Sequence, residues 1–490
     1  MSNSRRAGLL AAACSLGLMA GFVSAAQAET LTDAITLAYQ TNPTLQQQRA
    51  SQRATDEGVV QAKTAFRPSA SVSADVTGSR VDYANDLVST VNGVVVRRDH
   101  STSGGSGATL SLSQPLYTGG RASANLTAAE ADVLSAREGL RGVEQGVLIG
   151  VIQAYVDVRR DQERLRISQE NVAVLKRQLD ESNARFEVGE ITRTDVAQSQ
   201  ARLAAAEAGL ASAQAQLSIS RAAYTAVVGQ NPADLAAEPS LASLLPATVE
   251  QAFDAAENNN PQVLAARYSE SAAAARVASA RAGYRPTVSA RASLGYDAGK
   301  SNGVGDQFGD YDRSVTGAVT ASIPLFTGGL TTSQVRAAAE RENAARIAVE
   351  GAKRTALQSV SNAWSNLLAS RSNLISNEEQ VRATRIAFEG VRQEQQVGLR
   401  TTLDVLNAQQ ELRSAELALV SARRDEYVAS ASVLQAMGAL NIAALAPSVE
   451  RYDPKTSYDR VNHAVGWVPW EPMVQVIDKV GAAPTTPAKK

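Results

Sequence analysis

The stretch QPLYTGG at residues 114–120 recurs as IPLFTGG at residues 323–329, and most of the chain follows the same duplication. Asn-Pro at 42–43, for example, returns at 260–261. The early motifs are 218 residues apart (43 to 261), whereas those from Pro-Leu onward are 209 apart (115 to 324), so the copies differ by nine residues in one place. We therefore predict two internal repeats of rigid elements, with the length difference in an outer loop.

The first 28 residues have the pattern of a secretory signal. Arg5-Arg6 precede an apolar run, and Ala26-Gln27-Ala28 forms a small-x-small cleavage site. A membrane anchor is the alternative, but the run is short and ends in this processing site. Cys14 is the only cysteine, and Ala11 stands where a lipoprotein signal has leucine. We expect an exported mature chain without cysteine and without disulfides.

Composition argues against ordinary globular domains and against several kinds of partner. Aromatic residues make up only 4% of the chain, a value that favours extended helix packing over a compact core. The formal net charge of −1 gives no reason to expect nucleic-acid binding. The mature chain has no run of about 18 apolar residues, the length that a membrane helix needs. A membrane role would have to come from strands.

Two long proline-free regions are predicted to be helical rods. Apolar residues recur every seven positions from Val151 to Phe186, and again from Val360 to Phe388. Sustained heptads indicate coiled-coil packing, and about 68 helical residues would extend on the order of 100 Å. Gly189 and Gly398 are predicted to turn each rod back on itself, because glycine can adopt the left-handed conformation that ends a helix.

Each copy also contains a segment with the two-residue period of β-strands. Apolar and polar residues alternate in SVSADV at 71–76, in TLSLS at 109–113 and in TVSARASL at 287–294. Each block is predicted to form two strands of about ten residues, the length of a membrane-spanning strand. A soluble hairpin is the alternative, although the rods offer it no globular core. Four strands cannot close a barrel in lipid, so several copies would have to assemble.

Taken together, these motifs resemble the TolC family of outer-membrane efflux and secretion channels. The resemblance extends from LTDA at 31–34 to about residue 440 and includes VGLRTTLDVLNA at 397–408. It implies a mixed fold of long α-helical coiled-coil hairpins and β-hairpins, in a homotrimer with a twelve-stranded transmembrane β-barrel and a twelve-helix periplasmic tunnel. It also implies an equatorial belt, built partly from the linker at 232–246 and from the C-terminal segment.

The resemblance assigns gate residues to the periplasmic tip. Asp404 matches the family's acidic pore ring, and Asn407 occupies the next pore-facing position, where an acid is usual. Asp195, Thr194 and Arg400 match residues that hold the helices together in the closed state. An ordinary helix cap is the alternative role for Asp195, and a solvated charge is the alternative for Arg400. Three close carboxylates would raise one another's pKa or recruit cations.

The sequence predicts four segments: a signal peptide at 1–28, repeat 1 at 29–246, repeat 2 at 247–445, and a partly disordered tail at 446–490. The β-hairpins are expected at about 68–116 and 286–325. The tail tryptophans are expected to dock on the belt or to lie loose.

The predicted function is the exit duct of a tripartite efflux pump or type I secretion system in the outer membrane. The implied partners are a periplasmic adaptor (membrane fusion protein), an inner-membrane transporter of the RND or ABC type, and outer-membrane lipid. A trimeric coiled-coil adhesin or scaffold is the alternative. No catalytic site, cofactor or metal site is expected, since His100 and His463 have no ligand partners at metal spacing.

Overall fold

The computed structural model of the chain describes residues 28–91, 94–301, 304, 306–447, 449–464, 466 and 468–482. The predicted signal segment, apart from residue 28, lies outside the described residues. So do Trp467, the loop dipeptides at 92–93 and 302–303, and the terminal stretch from residue 483 onward. The described part is mostly helical and contains one antiparallel sheet of four strands.

The elements alternate between helices and hairpins in the order that the duplication predicts. The helices are α1 Leu31–Thr41, α2 Pro43–Lys63, α3 Arg121–Glu187, α4 Arg193–Val228, α5 Val249–Asn259, α6 Pro261–Arg281, α7 Leu330–Gln396, α8 Thr402–Ala436, α9 Ile442–Leu445, α10 Pro454–Ala464 and α11 Glu471–Asp478. The strands are β1 Ser69–Val91, β2 Val94–Tyr117, β3 Thr287–Ser301 and β4 Asp312–Ser322.

The predicted rods are confirmed as α3 and α7, each a single helix of 67 residues and therefore about 100 Å long. Gly189 and Gly398 lie in the turns that follow them, with φ of +79° and +81°. L-residues with a Cβ avoid this conformation, which explains glycine at both turns. None of the helices in the described part of the chain combines the length and the apolar character that a membrane span requires.

The helices pack side by side into a wall, and the neighbours of each rod change about halfway along it. Near its start α3 packs between α2 and α6, while beyond its midpoint it contacts α4 and α8. α7 packs against α6 and then against α8. At the midpoint, α1, α3, α4, the end of α8 and the linker after α4 share one apolar core. The Tyr155 hydroxyl donates to the carbonyls of Glu29 and Ala236 there, which fastens the chain start and the linker to α3.

The sheet has the order β1-β2-β3-β4 and presents one apolar and one polar face. Cross-strand partners share a face because side chains alternate along each strand. The apolar face includes a continuous row of paired residues: Val72, Leu110, Leu294 and Val315. The polar face includes the neighbouring row: Ser71, Ser111, Ser293 and Thr316.

The predicted strand length of about ten residues is confirmed for β4 and is wrong for the other three strands, most clearly in repeat 1. β1 and β2 contain 23 and 24 residues, and β3 and β4 contain 15 and 11. Beyond the pair Ser103–Ser301, β1 and β2 continue together as a two-stranded ribbon. The nine extra residues of repeat 1 therefore extend paired strands, because backbone hydrogen bonds hold the ribbon without an alternating apolar pattern.

The described residues of the C-terminal tail lie along repeat 1. α10 packs along α2, where the Lys63 ammonium donates to the Asn462 side chain and the Arg137 guanidinium lies 5.2 Å from the Tyr458 ring centroid. α11 reaches the junction of β2 and α3. Trp470 therefore lies at the base of the sheet, and the prediction that it docks on the belt or lies loose is wrong.

Candidate functional site

The residues that the sequence assigns to a gate gather at the two turns between paired helices. α4 and α8 both begin with a capping box, in which a threonine and the acid three residues later exchange hydrogen bonds. The Asp195 carboxylate accepts from the Thr192 backbone N–H at 2.9 Å and from its hydroxyl at 2.7 Å. The corresponding distances between Asp404 and Thr401 are 3.0 and 2.8 Å. Both acids therefore secure the first turn of a return helix.

These hydrogen bonds keep both carboxyl groups ionised. The Thr401 backbone N–H and then its hydroxyl stabilise the charged form, so the pKa of Asp404 lies below the ordinary value of 3.8. The Thr192 hydroxyl and then its backbone N–H lower the pKa of Asp195 in the same way. Within one chain, the two tips thus carry fixed negative charges at neutral pH.

Each turn is also bridged by an ion pair. The positions of the basic and the acidic residue are exchanged between the two repeats. In repeat 1 the Arg185 guanidinium pairs with the Glu190 carboxylate at 2.6 Å. In repeat 2 the helix supplies the acid, since Arg400 donates to Glu394 at 2.7 Å. Arg185 and Glu394 are equivalent positions, 209 residues apart. Arg400 is therefore paired across its own turn within the chain.

The first turns of α8 are packed against the other helical hairpin. Leu406 is buried together with Leu175 of α3 and Ala206 of α4. Next to this apolar contact, the Arg202 guanidinium donates to the Asn407 side-chain oxygen at 2.9 Å. This small contact joins the α3–α4 hairpin to the α7–α8 hairpin close to the tips.

The predicted gate residues fall into two groups. Arg400, Asp404 and Asn407 lie at or just before the start of α8, whereas Thr194 and Asp195 lie at the start of α4. Asp404 and Asn407 lie one helical turn apart on α8, but the Asn407 amide is engaged by Arg202. Thr194 is exposed in the first turn of α4. Sequence reasoning missed Arg202 and Leu406. No local pattern pairs residues about 200 positions apart, so only the packing of α4 on α8 identifies them.

The tips also expose apolar side chains. Val188, Val397 and Leu399 are exposed side chains that flank the two turn glycines. Apolar side chains grouped on an otherwise polar surface typically mark a protein contact. The tips thus combine ionised caps, a joining contact between hairpins and an exposed apolar end.

Comparison with known proteins places this architecture in a family. The sequence model of the outer membrane efflux protein family matches residues 34–230 and 252–439, one block in each repeat. The chain is 36% identical to the outer membrane efflux protein BepC of Brucella suis biovar 1 (strain 1330) over 447 residues, which cover 91% of this chain and 93% of BepC.

One further relative and the fold of one solved structure agree with this match. The outer membrane protein TolC of Vibrio cholerae is 28% identical, with 85% of this chain and 92% of that protein covered. The crystal structure of the outer membrane protein VceC from Vibrio cholerae superposes with a TM-score of 0.68 at 23% identity, covering 83% of this chain and 96% of VceC. The chain therefore belongs to the outer membrane efflux protein family, and it acts in the outer membrane.

Proposed function

We propose that three copies of the chain close into one continuous duct, through which substrates leave the periplasm. In this arrangement each of the repeats, 29–246 and 247–445, supplies one β-hairpin and one long helical hairpin to the wall. The family membership accounts for export through the outer membrane. The proposal adds the number of subunits, the residues of the gate and the partners at the tip.

An open edge along repeat 2 is the observation that carries this proposal. α3 is flanked on both sides by helices of its own chain, whereas α7 exposes a stripe of apolar side chains: Ile347, Leu368, Ile375 and Ile386. Consecutive members of the stripe are separated by 21, 7 and 11 residues, which keeps them on one side of a supercoiled helix. Such a stripe requires a helix partner that one chain does not provide.

The duplication supports repeat 1 of another copy as that partner. At the end of the hairpin of repeat 1, a Cβ added to Gly119 would lie 2.7 Å from Cβ of Arg285, so the two repeats are in close contact there. At the equivalent place in repeat 2, Leu325 and Phe326 are 94% and 91% exposed, and a Cβ added to Gly328 would meet no atom within 4 Å among the described residues outside its chain neighbours. Repeat 1 of a neighbouring copy would cover this exposed edge of repeat 2. The contact would be the same as the one that repeat 2 makes with repeat 1 inside a single chain.

The sheet requires the same closure. β1 and β4 are the edges of an open four-stranded sheet, and such edges are not tolerated in lipid. Three copies supply twelve strands, with the apolar face toward lipid and the serine- and threonine-rich face toward the lumen. Twelve strands leave an aqueous interior, which a ring of eight does not.

The gate is assigned to α8 at the narrow end of the tunnel. Three copies of Asp404 form the acidic ring, with Asn407 one turn further along the pore, while Asp195, Thr194 and Arg400 stabilise the closed tips. Carboxylates brought together on the pore axis would raise one another's pKa, which opposes the lowering of the Asp404 pKa by the cap of each subunit. They would also recruit cations. Opening releases α8 from the α3–α4 hairpin, which breaks the contacts of Leu406 and Asn407.

The apolar tip is assigned to a periplasmic adaptor, which links the duct to an inner-membrane transporter of the RND or ABC type. Val188, Val397 and Leu399 supply the contact surface, because they are exposed at the end farthest from the sheet. The cargo is a drug in an efflux pump or a protein in a type I secretion system.

Recordings from single channels in planar lipid bilayers test the proposed gate. We expect Asp404→Ala to weaken block by divalent cations, because it removes the acidic ring. Asp195→Ala is the matched control, since it removes the same type of cap from repeat 1 without removing the ring. Equal block in the two variants would contradict the role of Asp404. A purified trimer without any conductance would favour the adhesin or scaffold instead.

A further inference from the structure

Helix α11 in the C-terminal tail has its polar side buried and its apolar side exposed. Glu471 and Asp478 are buried against the protein together with Val474. The opposite side carries apolar residues at the spacing of one helical face, continuing just past the helix end: Met473, Val476, Ile477 and Val480. Met473 is 67% and Val476 68% exposed. A helix of a globular protein normally has the reverse arrangement.

The buried acids fasten α11 to the junction between the sheet and the rods. The Glu471 carboxylate accepts from Arg67, two residues before β1, at 2.8 Å. The Asp478 carboxylate accepts from the backbone N–H groups of Thr118 and Ser123 at 2.7 and 3.1 Å, and thereby caps the start of α3. These contacts fix which side of α11 faces the protein.

Two hydrogen bonds show that α11 lies on the apolar side of the sheet. The Trp470 indole N–H donates to the Gln114 side-chain oxygen at 3.1 Å, and the Tyr117 hydroxyl donates to the Val480 carbonyl at 3.1 Å. Gln114 pairs with Ala290 and therefore shares a face with Leu112, two residues away along the strand. The apolar side of α11 thus continues the apolar surface of the strands.

We propose that α11 is an interfacial anchor, which inserts its apolar side into the periplasmic leaflet of the outer membrane. It lies at the end of the sheet where strands join helices, the level at which a membrane-spanning sheet leaves the lipid. A tryptophan with a bonded N–H and a half-exposed ring suits this boundary. The inference rests on the proposed barrel, whose outer surface α11 extends.

The exposed side of α11 points toward lipid and not toward a second copy of the chain. The buried side of α11 faces the outer surface of the wall, so the exposed side points away from the wall. Neighbouring subunits continue the wall on either side, along the edges formed by β1 and β4, and do not cover its outer surface. Lipid is the occupant that adjoins the apolar face of the strands.

A fluorescent probe at a single cysteine tests this placement in the intact channel. The only cysteine of the sequence lies in the predicted signal segment, so Val476→Cys would give one labelling site. The labelled full-length protein is reconstituted in phosphatidylcholine vesicles that contain a nitroxide at a shallow acyl position. We expect an about twofold loss of emission, because such helices bury their apolar side roughly 5–10 Å into the membrane boundary. Conductance measured on the same sample verifies the channel independently.

Thr456→Cys is the matched control, because Thr456 is also exposed on the tail but lies in α10, farther from the sheet. Its probe should respond to aqueous iodide and not to the lipid nitroxide. In a conducting sample, a Val476 probe that responds only to iodide would overturn the anchor. A probe shielded from both quenchers would place a second copy over α11 and would also overturn it. Either result would leave the proposed channel intact.

Discussion

Removing the side chain of Arg202 is expected to open the channel while the subunits stay folded. The guanidinium is exposed and joins α4 to Asn407 of α8 by one hydrogen bond of 2.9 Å. Arg202→Ala removes this link between the two hairpins. The capping boxes and the apolar contact of Leu406 remain, so the variant perturbs the gate more than the fold.

The size of the effect follows from the exposure of the bond. An exposed hydrogen bond of this kind contributes about 0.5–1 kcal/mol per subunit, since water competes for both partners. If the three subunits move together, the closed state loses about 1.5–3 kcal/mol, and every 1.4 kcal/mol is a factor of ten. The ratio of open to closed channels should therefore rise on the order of 10- to 100-fold.

Open probability in planar bilayers measures this ratio directly. Arg385→Ala is the matched control, because Arg385 pairs with Glu416 inside the α7–α8 hairpin at 2.8 Å and does not join the two hairpins. Asn407→Asp should act in the opposite direction, since an ionised acceptor strengthens the bond to Arg202. Unchanged open probability in Arg202→Ala, or equal increases in Arg202→Ala and Arg385→Ala, would refute the proposed release of α8.

Three further predictions concern the elements that hold the gate and the anchor in place. Gly398→Ala should lower the free energy of unfolding by about 1–2 kcal/mol, because φ of +81° places Cβ against the following carbonyl; thermal unfolding measures this. Asp478→Ala should destabilise the protein by about 1–3 kcal/mol, since the N–H groups at the start of α3 lose their acceptor; denaturant unfolding measures this. Within a single chain the pKa of Asp404 is lowered, so its cap is fully stabilising above pH 3.8 and is lost as the pH falls through the folded-state pKa; the protection of the first turn of α8 against hydrogen exchange, relative to the intrinsic rate at each pH, should therefore fall in acid.

Each of these predictions has a control close to it in the sequence. Gly390→Ala in the interior of α7 should stabilise the protein by roughly 0.5–1 kcal/mol, because there is open space around a Cβ and alanine favours a helix. Lys479→Ala, next to Asp478 but exposed, should leave the stability unchanged. Thr401→Ala should reduce the pH dependence of exchange near Asp404 without abolishing it, because the hydroxyl is lost while the backbone N–H of residue 401 still donates to the carboxylate. Equal effects in a variant and its control would contradict the reasoning.

The sequence predicts the helical part of the fold well, because its signals are local. The heptads specify α3 and α7, while Gly189 and Gly398 specify where the rods turn. Threonine followed three residues later by aspartate specifies the start of both return helices. In each case, residues close in sequence interact within one helix or one turn.

The remaining features depend on contacts between residues that are distant in sequence. The ribbon beyond Ser103 follows from backbone pairing, which leaves little periodic signal. The partners of Glu471 and Asp478 lie more than 350 residues away, so the sequence predicted a tail that docks on the belt or lies loose, where the structure has a helix docked at the base of the sheet. The bond between Arg202 and Asn407 depends on how two hairpins pack. Local patterns contain no information about that packing.

The number of subunits tests the central claim most directly. Native mass spectrometry of the protein extracted from the outer membrane in mild detergent measures it without assuming a mechanism. The open edge formed by α7, β4 and Phe326 predicts a complex of three identical chains. A folded monomer, or a closed dimer with eight strands, would contradict the account.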